Sequence, residues 1–161
     1  MDRPYLEDLL LVDKQVTVEL NSSNDITLVD ANSGKVFSGG NFQASSVTSA
    51  MDKTRLAIQA LGRILFAQLS EIVDPNLNNG LPTNLAADNP NLSFHCKGVN
   101  IAMASYLAEL SYFASLVSSH SLAAETHNQS INSMALVSAR MSMQAMEILT
   151  MMCACSLYIC C

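Results

Sequence analysis

The sequence predicts an all-α fold of long helices with one short β-hairpin near residues 26–38. The main observation is a stripe of residues that recur every three or four positions, as on one face of an α-helix, and nearly all of them are apolar. Its members are Val47, Met51, Thr54, Ile58, Leu61, Leu65, Leu69 and Ile72. Composition agrees, since 50% of the residues are hydrophobic and only 14% are charged. We expect such helices to pack against other chains or other parts of the same chain.

The chain opens with a predicted helix over residues 4–22. Pro4 suits a first helical turn, and Glu7 and Asp8 suit the positive end of the helix dipole. Residues 26–38 then predict the hairpin, because β-branched residues flank a turn that contains Gly34.

The long stripe ends where Asp74-Pro75 stops a helix, and residues 76–96 predict an ordered loop. Residues 97–117 predict another helix, followed by a break at 118–121. A last helix is expected to begin at Thr126 or Asn128 and to continue to the C-terminus. It ends within an apolar stretch and has no capping residue, so we expect the chain to be part of a longer domain.

The net charge and the length of the apolar runs argue against two classes of partner, nucleic acids and membranes. The formal net charge is −6 and no basic run occurs, so we expect no nucleic-acid binding. The longest uncharged apolar run, from Ile148 to Cys161, has about 14 residues, fewer than the ~20 that span a bilayer. The N-terminus has no signal-peptide pattern, so we expect a reducing, cytoplasmic location and no membrane partner.

Four of the five cysteines lie between Cys153 and Cys161, which raises the possibility of a metal site. The cluster lacks CxxC spacing and a second group of ligands, and it falls within a helical pattern. Cysteine in such a pattern behaves as a small apolar residue, so we predict free thiols and no metal.

The stretch from Ala124 to Ser133 holds the first candidate site. Glu125 and Gln129 are four positions apart, and such residues share one face of a helix, where they can contact one ligand together. Considered by itself, this spacing favours a solvated acid near a helix start.

Other motifs accompany this stretch in a fixed order: Gly39-Gly40-Asn41-Phe42-Gln43, Met51-Asp52-Lys53-Thr54-Arg55, Asn79-Gly80-Leu81-Pro82 and Lys97-Gly98-Val99-Asn100. Together the motifs resemble the phenylalanine/histidine ammonia-lyase family, its phenylalanine branch, and the fungal members of that branch most of all. The resemblance extends from about Pro4 to the last residue.

The resemblance implies that residues 1–161 are a partial catalytic domain, a central helical bundle of the aspartase/ammonia-lyase superfamily type, truncated at both ends. It implies a carbon–nitrogen lyase that, when complete, deaminates L-phenylalanine to trans-cinnamate and ammonia, a step of L-phenylalanine catabolism, cinnamate biosynthesis and phenylpropanoid metabolism. Family members are homotetramers whose active sites combine residues from three subunits. We therefore expect this chain to associate with itself or with full-length subunits.

The family's electrophile is a methylidene-imidazolone group that forms from an internal Ala-Ser-Gly. These 161 residues contain no Ala-Ser-Gly, and Asn32-Ser33-Gly34 is interpreted as a turn. We therefore predict that this chain binds no cofactor and is inactive by itself. The alternative is a degenerate, non-catalytic helical oligomerisation module.

Five residues correspond to the family's site. The resemblance places Glu125 near the substrate amino group, Gln129 near the electrophile and Phe42 beside it. It places Lys97 and Ile101 along the side of the pocket that holds the aromatic ring. Without the resemblance, Phe42 is equally a buried aromatic after a Gly-Gly turn, and Lys97 is an exposed lysine at a helix start.

Two further observations qualify this assignment. His95, His120 and His127 are interpreted as structural rather than as bases. Ile26 stands where the family has an asparagine of the active-site polar network, and this loss of a hydrogen-bonding group is expected to lower activity.

Overall fold

The structure, a computed structural model, describes residues 3–24, 27–39, 42–120, 123–126 and 128–161. Its helices are α1 (Arg3–Leu20), α2 (Ser45–Val73), α3 (Lys97–Phe113) and α4 (Ala135–Cys160), and its two strands are β1 (Thr27–Asp30) and β2 (Lys35–Ser38). Short 3₁₀ turns occur at Thr83–Leu85 and Ser118–His120. This confirms the predicted all-α bundle with a short hairpin.

The hairpin is antiparallel, and it pairs Thr27 with Ser38 and Asp30 with Lys35. Its turn is organised by the Asp30 carboxylate, which accepts the Asn32 amide at 3.0 Å and the Ser33 hydroxyl at 2.5 Å. These bonds, from Ser33 first and then Asn32, hold the pKa of Asp30 below its ordinary value. Asn32-Ser33-Gly34 is therefore a turn, as predicted.

Helix α2 is central and packs against the other three helices. Gln59 donates to the Ser111 hydroxyl at 3.1 Å, and Arg55 donates to the Ser115 carbonyl at 3.0 Å, so α3 runs antiparallel to α2. On α4, Ser138 packs beside Thr48 and Met152 beside Gly62, so α4 runs parallel to α2.

The core lies between α2, α3 and α4, and every residue of the predicted stripe in α2 is buried or half-buried. The buried residues of this core are Ile58, Leu69, Val73, Cys96, Met103, Leu110, Ala145, Ile148 and Met152. Burial of apolar side chains at about 1.5–3 kcal/mol each is the main force that holds such a bundle together.

The predicted boundaries of the last two helices were wrong. Helix α3 ends at Phe113 rather than near residue 117, because the amides of Val117 and Ser118 donate to the Asp52 carboxylate instead of continuing the helix. Helix α4 begins at Ala135 rather than at Thr126 or Asn128. Met134 precedes it with a left-handed φ of 57°, and its amide donates to the Asn132 side chain at 3.0 Å.

Two helices, α2 and α4, are long and apolar enough to cross a membrane when only length and composition are considered. Core helices of soluble proteins meet the same criterion, and α2 packs against three helices here. Within the described ranges, no group of three or more His, Cys, Asp or Glu side chains is placed to hold a metal ion. The five cysteines are free thiols.

Candidate functional site

A buried ion pair, Asp52 with Arg55, lies between α2, α4 and the end of α3. Asp52 is 4% exposed and Arg55 is 1% exposed. The Arg55 guanidinium contacts the Asp52 carboxylate through Nη2, which also donates to the Ser115 carbonyl. Its Nη1 donates to the Ser138 carbonyl and hydroxyl, both at 2.8 Å, and to the Ser142 hydroxyl at 3.1 Å.

The Asp52 carboxylate also accepts several hydrogen bonds, whereas the buried Nε of Arg55 has no hydrogen-bond partner among the described residues. It accepts the Val117 amide at 3.1 Å, the Ser118 amide at 3.0 Å, the Ser118 hydroxyl at 2.7 Å and the Ser138 hydroxyl at 2.8 Å. Burial raises the pKa of Asp52, but hydrogen bonds from Ser118, Ser138 and Arg55 outweigh it, so the pKa lies below its ordinary value of 3.8. The pair therefore stays ionised.

Sequence reasoning assigned no role to this pair. The signal was present, since Asp52 and Arg55 are three positions apart on a helix and lie next to the buried stripe. Charged side chains at such positions are rarely buried unless they pair with each other.

Glu125 and Gln129 lie on a turn, so the prediction that they share a helix face was wrong. Ala124 and Gln129 form an isolated antiparallel bridge, with N···O distances of 3.0 Å and 3.2 Å. Within it, the Asn128 amide donates to the Glu125 carbonyl at 2.9 Å, and the Asn128 side chain donates to the Glu125 carboxylate at 3.0 Å. These local bonds satisfy the backbone groups that a helix would otherwise pair.

The turn nevertheless keeps Glu125 and Gln129 close together, because Ala124, which pairs with Gln129, directly precedes Glu125. Glu125 is exposed and Gln129 is half-buried. Glu125 and Thr126 both have φ of 55°, a left-handed conformation that is strained for a β-branched residue such as Thr126. Such strain persists where surrounding structure enforces it, and it is common at functional sites. His127 lies outside the described residues.

Lys97 and Ile101 occupy the first turns of α3, four positions apart as expected, and both are exposed. The Lys97 ammonium lies 5.1 Å from the centre of the Phe94 ring, within the range of a cation–π interaction. His95 and His120, two of the three histidines predicted to be structural, are both exposed. His95 contacts the Ser93 hydroxyl, and His120 contacts the Leu116 carbonyl.

Phe42 lies three residues before α2 and is 52% exposed, so it is not the buried aromatic of the alternative interpretation. Ala44, at the entry to α2, has a left-handed φ of 50°. Gly40 and Asn41 of the same motif, and Ile26, lie outside the described residues.

The candidates fall at two ends of the bundle. From Ser111, which contacts Gln59, helix α3 extends about 21 Å back to Lys97, towards the C-terminal end of α2. Asp52, which anchors the segment after α3, lies about 10 Å from Gln59 in the opposite direction. Along α2, Lys97 is thus about 30 Å and Ile101 about 25 Å from Asp52, and both lie farther still from the Phe42 end.

Comparison with known proteins identifies the family. Residues 4–161 match the sequence model of the aromatic amino acid lyase family. A phenylalanine ammonia-lyase of Aspergillus hancockii is 63% identical over 158 residues, which are 98% of this chain and 23% of that protein. A phenylalanine aminomutase (L-beta-phenylalanine forming) of Talaromyces islandicus is 60% identical over the same length and is covered to 22%.

A solved structure is also similar. The phenylalanine ammonia-lyase of Rhodosporidium toruloides superposes with a TM-score of 0.92 and 41% identity, over 96% of this chain and 24% of that one. The chain therefore spans less than a quarter of the length of these relatives. The resemblance deduced from its motifs is confirmed, and the chain belongs to the aromatic amino acid lyase family.

Proposed function

We propose that this chain supplies part of the bundle and part of the active site of a cytoplasmic ammonia-lyase that converts L-phenylalanine to trans-cinnamate and ammonia. The observation that carries the proposal is the 63% identity to a phenylalanine ammonia-lyase over 158 residues. The exposure of Phe42, Lys97, Ile101 and Glu125 supports it, because side chains that contact a substrate must be reachable from solvent.

We propose that the site forms between subunits of a homo-oligomer, a tetramer as in the family. The separation of about 30 Å along α2 between Lys97 and the anchors of the Glu125 turn supports this. A direct charge interaction acts within ~4–6 Å, so this separation favours a site in which Lys97 and Glu125 come from different chains. A second copy, placed antiparallel along the bundle, brings Lys97 of one chain to the turn of another.

In this proposal the side chains bind and orient the substrate. The Glu125 carboxylate accepts hydrogen bonds from the substrate ammonium, and the Gln129 amide fixes the polar end. Phe42 would pack beside the electrophile, Ile101 contacts the aromatic ring, and the Lys97 ammonium lies at the ring end of the pocket. Removal of a weakly acidic β-proton requires a base and an electron sink held together, so this orientation contributes directly to rate.

The electron sink in the family is the methylidene-imidazolone group, made from Ala-Ser-Gly. The residues of this chain do not form it, since they contain no Ala-Ser-Gly and Asn32-Ser33-Gly34 is an exposed turn held by Asp30. The contribution of this chain is therefore limited to binding and orientation.

The test is a chimaera in which residues 4–161 replace the matching segment of the Aspergillus hancockii enzyme. We expect it to release cinnamate from L-phenylalanine, and we expect Glu125→Gln to lower kcat about a hundredfold. The control, Glu147→Gln, makes the same change at an exposed position of α4 and should be silent. Equal turnover in the two variants would refute the assignment of Glu125.

Two other functions have observations in their favour. The 60% identity to a phenylalanine aminomutase favours formation of β-phenylalanine, which the same chimaera would reveal by product analysis. The exposed Leu136, Leu157 and Tyr158 on α4 suit the alternative, a non-catalytic oligomerisation module. An inactive chimaera that still assembles with the intact enzyme would support the module.

A further inference from the structure

The segment 117–133, which lies between α3 and α4, has little regular structure in its described residues. Its described residues from 123 to 134 form no helix, and their one bridge joins Ala124 to Gln129. They nevertheless include three left-handed residues, Glu125, Thr126 and Met134, which persist only where surrounding structure enforces them. Something outside the segment must therefore fix it.

Both ends of the segment are attached to one short stretch of α2. At its start, Asp52 accepts the Val117 amide and both the amide and the hydroxyl of Ser118. At its end, the Thr48 hydroxyl donates to the Ser133 carbonyl at 2.6 Å. Thr48 lies one helical turn before Asp52, so the two ends are held side by side.

The Asp52–Arg55 pair links these two attachments. Arg55 donates to the Ser115 carbonyl before the segment and to the Ser138 carbonyl and hydroxyl after it. Most hydrogen bonds of this pair therefore go to groups that flank the segment. A buried ion pair contributes little net stability compared with an apolar pair of the same volume, but it fixes the groups that it bonds.

We propose that Asp52 and Arg55 are positioning residues: by fixing both flanks of the segment, they hold the Glu125–Gln129 turn in the orientation that the substrate requires. The proposal rests on the proposed function only for the role of the turn itself. Among the residues of the turn that the structure describes, none hydrogen-bonds to Asp52 or Arg55, so both act through the groups of the flanks.

The first measurement is hydrogen–deuterium exchange on the 161-residue chain. Ser118→Ala removes one hydrogen bond to Asp52, and Asp52→Asn removes the charge with little change of shape. We expect amides from Val117 to Asn132 to exchange about tenfold faster in Ser118→Ala, and faster still in Asp52→Asn. If Asp52→Asn fails to fold, Ser118→Ala still decides the matter.

The matched control is Ser111→Ala. It removes a hydroxyl that also bonds between helices, to Gln59, which lies about 10 Å along α2 from Asp52. We expect it to leave exchange of the segment unchanged. Unchanged exchange in Ser118→Ala and Asp52→Asn, or an equal increase in Ser111→Ala, would overturn the proposal.

The second measurement is turnover by the chimaera. Ser118→Ala should lower kcat about tenfold. Ser118→Thr keeps the hydroxyl, so its kcat and its amide exchange rates should match those of the wild type. If Ser118→Ala speeds amide exchange in the segment while Glu125→Gln leaves kcat unchanged, the anchoring stands and the proposed function fails. If Glu125→Gln lowers kcat while Ser118→Ala changes neither exchange nor turnover, the proposed function stands and the positioning role fails.

Discussion

Gly62 of α2 lies directly against Leu110 of α3. A Cβ atom at position 62 would lie 2.6 Å from Leu110 Cδ1 and 3.3 Å from the sulfur of Met152 on α4. The three helices of the core thus meet where one of them has no side chain.

We predict that Gly62→Ala lowers the free energy of unfolding by about 1–3 kcal/mol, since the added methyl overpacks the crossing and Leu110 must move. Gly98→Ala is the matched control, because a Cβ there meets no atom within 4 Å. It should be neutral or slightly stabilising. Urea unfolding measures both, and equal effects of the two substitutions would contradict this account of the crossing.

The low pKa of Asp52 predicts a pH dependence of stability. Because the folded-state pKa lies below the ordinary value of 3.8, the contribution is present above about pH 4 and is lost as pH falls through the folded-state pKa. The difference in unfolding free energy between wild type and Asp52→Asn should therefore shrink as pH falls from about 6 to about 3. A constant difference across this range would rule out ionised Asp52 as its source.

We predict that the chain self-associates through α4. Leu136, Leu157 and Tyr158 are 77%, 68% and 64% exposed, and burial of each is worth about 1.5–3 kcal/mol. Leu157→Glu should shift sedimentation velocity profiles towards smaller species at micromolar concentration. The control is Leu92→Glu, a change of the same chemistry in a loop residue that is 82% exposed. A monodisperse monomer of the wild-type chain would disprove association.

Restoring the family's asparagine at position 26 is predicted to raise kcat of the chimaera, because it returns a hydrogen-bonding group to the polar network. A net hydrogen bond contributes about 0.5–1.5 kcal/mol, which corresponds to a gain of roughly two- to tenfold in kcat. Ile26→Leu is the control, since it changes shape without adding a polar group. Equal turnover of the asparagine and leucine variants would show that position 26 does not belong to the network.

The elements that sequence predicted well are those with local signals. The stripe of α2 has the helical period over its whole length, and Asp74 ends the helix before Pro75 as expected. The hairpin follows from Gly34 and from the ability of Asp30 to bond its own turn. None of these features depends on distant residues.

The segment after α3 was predicted poorly because its structure is set from far away. The Val117 and Ser118 amides bond to Asp52, a residue 65 and 66 positions earlier, and no local pattern reports such a partner. The spacing of Glu125 and Gln129 suits a helix and a tight turn equally well. The Asn128 side chain, which bonds Glu125, favours the turn.

Because Thr48 and Asp52 hold both ends of the segment, the tip that carries Glu125 and Gln129 is closed on itself by the Ala124–Gln129 bridge and contributes little to the core. Changes of sequence at residues 123–130 therefore need not disturb the helices beneath. Under the proposed function, this architecture would separate selection for substrate from selection for folding, so that new specificities could arise at the tip while the bundle stays unchanged.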